Sequence, residues 1–306
     1  MKAKRANWLF LTIIFVHFGV LLFIYMLRVA DISMVTDSLL SEGIIMIPAL
    51  LFLIPEAAGT EGKNGIGQAL GFRKIKGSTL LLVILFMILM SPLVTLVNAF
   101  TMLYTDNEVA DLTPEILKLP FPVMLFLIGI FAPFCEEFVF RGLIFHGYRK
   151  TQAGIWPVII SALLFGLMHL NFNQAAYAFV IGIALALLVD ATGSLWSSVA
   201  FHMVFNSAEV CLIYFAGAEI PEMLNEQYTH DTLMTAIAVY MILALISTAL
   251  AACVMVLIAK NEHRERELAV SVKSDIKGQA PLVSAPLIIA IVICLTYMLI
   301  VQYYLY

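Results

Sequence analysis

The chain has 306 residues, 62% of them hydrophobic and 12% charged, with a mean hydropathy of +0.99 and a formal net charge of -4. A soluble domain carries about 25% charged residues, so a water-soluble globule is excluded and a polytopic membrane protein is expected. The net charge adds little, because in membranes the distribution of Lys and Arg carries the information; no nucleic-acid partner is expected.

A spanning helix needs about 20 mainly apolar residues. Such segments fall near 7–27, 44–56, 79–103, 121–146, 155–171, 174–190, 195–216, 233–259 and 282–304, which predicts an all-α transmembrane bundle of eight or nine spans. The second segment is short and holds Pro48 and Pro55, so its true start is expected nearer Ser33. The first follows Met-Lys-Ala-Lys-Arg, and its length, with Arg28 spoiling the cleavage site at Ala30, marks an uncleaved anchor rather than a signal peptide.

Of the seventeen Lys and Arg residues, fourteen fall on the side of the N-terminus when nine spans are drawn. Arg28 and Lys118 fall on the other side, and Arg141 lies within the membrane. This asymmetry predicts a cytoplasmic N-terminus and an outer C-terminus. The polar insert 59–78 holds the basic run Gly71 to Lys76, read equally as a solvated loop at the headgroups or as a guide for substrate. The mixed-charge stretch 260–277 reads as a cytoplasmic helical extension with no chemistry.

Several polar residues in the spans are read as structural. Cys135, Cys211, Cys253 and Cys294 lie in apolar runs without metal-type spacing and are expected to be buried small hydrophobes. His17 is read as a packing residue, and so are Asn98 and His230. Glu209, three residues after Asn206, is placed at most at the edge of the same cavity.

The candidate chemistry lies in the middle of the chain. Glu136, Glu137 and Arg141 fall on the fourth span, Phe165 and His169 on the fifth, His202 and Asn206 on the seventh. Glu137 and Arg141, four apart, share a helix face and are expected to pair, which lowers the cost of both charges in a dry site. Glu136 points about 100° away and is left for another partner. Around the turn at 150–155, Glu136 and His169 each lie about 21 Å along their helices, so the two are expected at one depth. His202, about 10 Å past Leu195, reaches that depth only if the 190–194 connection is sunken or the helices tilt.

A carboxylate and an imidazole at one depth share a water, whose proton the carboxylate takes as general base. An imidazole and a carboxamide four apart on a facing helix are donors suited to an oxyanion. Acyl hydrolysis is therefore one reading. Two histidines and a glutamate holding zinc, a proton or substrate pathway in a transporter, and a purely structural network use the same residues and stay open.

Glu-Glu-x-x-x-Arg at 136–141, Phe-x-x-x-His at 165–169 and His-x-x-x-Asn at 202–206, in this order on membrane helices, resemble the motifs of the CAAX-protease and bacteriocin-processing (CPBP) family. That family includes the eukaryotic prenyl-protein endopeptidase of the Ras-converting type and bacterial relatives, some linked to bacteriocin immunity or processing and some acting as scaffolds. The resemblance covers about residues 120–210 of a single integral membrane domain, 1–306, and leaves the spans in 1–119 and 233–306 as variable flanks. It implies an intramembrane endopeptidase of a cell membrane, expected to be bacterial. Peptide or protein substrate, not necessarily prenylated, would enter from the membrane or cytoplasmic side. It implies Glu136 as general base with His169 as its partner on the water, and His202 and Asn206 as oxyanion stabilisers. Glu137, Arg141 and Phe165 would support the site. No cofactor is expected, with zinc on the same residues as the alternative.

Overall fold

The computed structural model describes residues 1–28, 32–58, 66–151, 153–215, 230–273 and 281–304, and among them there are helices and turns but no strand. The helices are α1 (Ala3–Met26), α2 (Met34–Ala58), α3 (Gly77–Thr101), α4 (Glu108–Leu117), α5 (Phe121–Arg149), α6 (Trp156–Met168), α7 (Phe172–Thr192), α8 (Leu195–Phe215), α9 (His230–Asn261), α10 (Glu265–Ser271) and α11 (Ala285–Tyr304). Eight of them are long and apolar enough to cross a membrane. The chain is a polytopic helical bundle.

The doubtful second span is a full helix beginning at Met34, next to the start expected at Ser33. The short pass is instead α6. The sequence reading carried it to 171, but it stops after 13 residues. At about 1.5 Å per residue it rises only about 20 Å, against a hydrocarbon core of about 30 Å. Its stop has a local cause. Asn171 caps α7 by accepting the amide of Gln174, and Leu170 takes a left-handed φ of +57°, so helix geometry ends at His169.

Among the described residues, hydrogen bonds tie the helix ends into two layers. At one end Asn7 Nδ2 donates to Leu282 O (2.9 Å) and Ser284 Oγ (2.7 Å), Ile155 N to Lys273 O (2.9 Å), and Arg264 Nε to Asp190 O (3.0 Å). At the other end the Tyr214 hydroxyl bridges Ile116 O and Leu119 O, each at 2.7 Å, and Gln302 donates to Tyr104 O. Lys63 and Lys277 lie outside the described residues; the other twelve basic residues assigned to the N-terminal side fall in the first layer, and Arg28 and Lys118 in the second.

The interior belongs to α5 and α7, where 50% and 61% of the most apolar window is buried, against 28–33% in the other spans. The outer helices turn large side chains such as Leu245, Ile242 and Leu299 outward, as lipid contact requires. Cys253 on α9 is exposed in that way and Cys211 half-buried, so only Cys135 and Cys294 take the buried positions expected of all four.

The connection between α7 and α8 is sunken. Thr192 is 4% exposed and Ser194 fully buried, because residues 70–73 lie over them: Leu195 N donates to Gly71 O (2.7 Å) and the Ser194 hydroxyl to Arg73 O. Gly193 takes φ +66°, a left-handed conformation that calls for glycine. The basic run 71–76 is therefore not a loose loop. Phe72 packs into the bundle against Trp196 (5.2 Å between ring centroids), Phe134 and Phe138 (6.4 Å each).

Candidate active site

The sunken connection starts α8 deep in the bundle and so brings His202 to the level of the two glutamates on α5. The local winding of α5 does the rest. Leu125–Phe131 and Phe138–Phe145 are π-helical, and the α-helical turn Ala132–Glu137 between them carries both glutamates. Wide π turns leave carbonyls poorly served by the helix itself and recur at functional sites. Here α8 serves two of them: Asn206 Nδ2 donates to Ile128 O (3.2 Å) and Ser207 Oγ to Gly129 O (3.3 Å). The approach is close, since a Cβ on Gly129 would stand 2.7 Å from Ser207 Oγ.

Glu137 is the hub. Its Oε1 accepts from an Arg141 terminal nitrogen at 2.7 Å, as the spacing of four predicts, and from His202 Nδ1 at 3.1 Å. Both members of the Glu137–Arg141 pair have no solvent exposure. The second terminal nitrogen of Arg141 donates to Gly182 O (3.3 Å), and its guanidinium carbon lies 4.2 Å from the centre of the Phe165 ring, a cation–π contact. A buried ion pair is tolerable only with such additional partners.

His202 faces Glu136 with its other nitrogen, Nε2 standing 3.6 Å from Oε2, just outside hydrogen-bond range. Glu136 is the more open of the two glutamates, its side chain 14% exposed against 0% for Glu137. The Phe165 ring meets both imidazoles edge to face, His169 at 5.3 Å and His202 at 5.7 Å. His169 sits at the end of α6 with Nδ1 3.0 Å from Phe165 O. A carbonyl only accepts, so Nδ1 carries the proton and Nε2 of a neutral ring presents a lone pair.

The structure thus sets Arg141, His169 and His202 around the Phe165 ring and links Glu137 to them through Arg141 and His202, and Glu136 through His202, with Asn206 one turn along α8 from His202. The expected partnership differs in one respect. The imidazole measured against Glu136 is His202, and His169 joins the cluster through Phe165. Glu209, one turn beyond Asn206 on α8, is exposed. Asn98 accepts from Asn173 (2.8 Å) and ties α3 to α7, while the side chain of His230 lies outside those described. Among the described residues no three His, Cys, Asp or Glu side chains gather as a metal-ligand group.

Sequence reading missed Glu42. This residue of α2 is 7% exposed, with its Oε2 buried and unpartnered, on a helix that packs against the turn carrying Cys135 and Glu136. Its signal was a lone acid in the apolar run from Leu39 to Leu53.

Residues 118–208, which hold every residue of the cluster around Phe165, match the family model of the type II CAAX prenyl endopeptidase Rce1-like proteins. This segment is similar to Rce1-like domains. Two relatives from bacteria are similar to the chain. YdiL of Bacillus subtilis, whose name describes a membrane peptidase, is 28% identical over 92 residues, 30% of this chain and 37% of the relative. The membrane-embedded CAAX protease MroQ of Staphylococcus aureus is 27% identical over 114 residues, 35% of this chain and 46% of the relative. The chain thus spans less than half the length of the curated relatives it matches. No solved structure matches it. The Rce1-like segment begins at α5 and ends within α8, so α1 to α4 and α9 to α11 lie outside the match.

Proposed function

We propose that the protein is an intramembrane endopeptidase in which Glu136 and His169 activate a water against a peptide carbonyl, while His202 and Asn206 receive the oxyanion. The observation that carries the reading is the sharing of one buried carboxylate, Glu137, between Arg141 and His202, which presents His202 Nε2 to Glu136.

The Glu136 carboxylate takes a proton from water as the water oxygen bonds to the carbonyl carbon, and His169 Nε2 accepts from the same water and orients it. The carbonyl π electrons move onto oxygen. Asn206 spends one amide N–H on Ile128 O and keeps the other for that oxyanion. His202 donates from Nε2 while Nδ1 donates to Glu137, which requires both ring protons; two carboxylates, one imidazolium and one guanidinium then leave the cluster without net charge. Collapse of the intermediate breaks the C–N bond, and Glu136 returns its proton to the leaving nitrogen. No metal is used in this reading. Peptide or protein substrate reaches the cluster from the lipid or from the end that carries the N-terminus, which the concentration of basic residues there marks as cytoplasmic.

The test is cleavage of a farnesylated CAAX peptide and its unprenylated counterpart by purified full-length protein. Glu136→Ala and His169→Ala should each lower kcat/KM by about 10²–10⁴-fold, the range of general acid–base groups. Full activity in either variant would sink the assignment. Exhaustive chelation should leave activity unchanged, and stoichiometric zinc with chelator sensitivity would replace this reading by the metal-dependent one.

A further inference from the structure

α9 ends in a Schellman turn. His263 takes a left-handed φ of +57°, its N–H donates to Lys260 O (3.2 Å), and Arg264 N donates to Ala259 O (2.8 Å). The side chains on either side of His263 both reach other helices. Glu262 Oε1 accepts from Lys76 N (3.1 Å) and from the Thr79 hydroxyl, at the start of α3. Arg264 Nε donates to Asp190 O (3.0 Å), one of the last four carbonyls of α7, which a helix leaves without a donor of its own. The Arg264 guanidinium also covers Gly193, where a Cβ would stand 2.9 Å from Cζ.

These contacts converge on the sunken connection between α7 and α8. Residues 70–73, three residues before Lys76, hold its α8 end through Leu195 N to Gly71 O and the Ser194 hydroxyl to Arg73 O. Arg264 holds its α7 end. The connection fixes where α8 begins, and His202 follows about two turns along that helix.

We propose that Arg264 and Glu262 are positioning residues of the catalytic centre: the turn that ends α9 clasps the sunken connection and so sets the depth of His202 against Glu136 and Glu137. The proposal rests on His202 serving the hydrolysis. It makes α9, which lies outside the Rce1-like match, part of the active unit. An oxyanion donor works only at about 2.7–3.1 Å from the oxygen, so a connection that rises weakens the transition state and leaves peptide binding in place.

The experiment compares kcat and KM of full-length Arg264→Met, Arg264→Lys, Glu262→Leu and Glu262→Gln on the same peptide, with Arg264→Met also made in a His202→Ala background. Arg264→Met and Glu262→Leu should each lower kcat about tenfold or more, since a displacement near 1 Å costs on the order of 10²-fold. KM should change by less than about threefold, the mark of a loss confined to the transition state. Arg264→Lys keeps a cationic donor for Asp190 O and Glu262→Gln an acceptor for Lys76 N, so both should retain most of the turnover. In the His202→Ala background Arg264→Met should cost less than about twofold more, because both act through one imidazole. A residue that only stabilises the bundle would cost the same in either background.

Wild-type kcat in Arg264→Met or Glu262→Leu would overturn the proposal, as would an Arg264→Lys variant as impaired as Arg264→Met or losses that multiply with His202→Ala. If Arg264→Met does not accumulate as folded protein, Glu262→Leu against Glu262→Gln decides. If turnover of His202→Ala falls below detection, Arg264→Met against Arg264→Lys decides. His202→Ala cleaving at the wild-type rate defeats the catalytic role of His202; an impaired His202→Ala beside an intact Arg264→Met defeats only the clasp.

Discussion

Glu137 never touches substrate in this account, yet two neighbours, Arg141 and His202, depend on it. Removing it leaves Arg141 buried with only Gly182 O and a ring face, and removing Arg141 leaves a buried carboxylate. Breaking such a pair costs about 3–5 kcal/mol, so Glu137→Ala and Arg141→Met should both unfold far earlier than wild type in a detergent denaturation series. Asn206→Ala is expected to behave differently: near-normal stability, with kcat lower by about 10²–10³-fold, as for a lost oxyanion donor. A stability loss without a kcat loss in Asn206→Ala would remove it from the site. The Glu137–Arg141 pair was legible because both ends lie on one helix, four residues apart. The contact from Glu137 to His202 was not, since no helical period links positions 65 residues apart.

Two elements owe their shape to interactions that periodicity does not encode. The π-helical start of α5 exists beside donors on α8, and Gly129 leaves room for them. Gly129→Ala would set a methyl 2.7 Å from Ser207 Oγ and 3.2 Å from Ser207 Cα, pushing α8 and the Asn206 amide away. Overpacking of this kind costs about 1–3 kcal/mol, and kcat should fall with it, which paired unfolding and kinetic measurements would check. The early end of α6 was hidden similarly. Its composition runs apolar through Leu170, and the stop is set by the capping of α7 by Asn171 and by one left-handed residue. The depth of His202, by contrast, was framed correctly as a choice between a sunken connection and tilt; residues 70–73, lying over Ser194, supply the first.

For the molecule as a whole, composition alone gave the class. Hydropathy placed eight long spans well and misjudged which pass was short. It could not foresee that Phe72 packs into the bundle beside Trp196, because the surrounding basic residues read as surface. The two layers predict a labelling pattern. A cysteine at Tyr104, 71% exposed in the layer opposite the N-terminus, should react with an impermeant thiol reagent on intact cells, and one at Lys4 only after permeabilisation. The reverse pattern would invert the proposed orientation.

The central claim is that Glu136 is the base of a peptide hydrolysis. Its most direct test is single-turnover cleavage by purified Glu136→Gln, which keeps size and hydrogen bonding but cannot take a proton. The account predicts a folded protein that binds peptide with near-normal affinity and cleaves it at least about 10²-fold more slowly. Cleavage by that variant at the wild-type rate would contradict it.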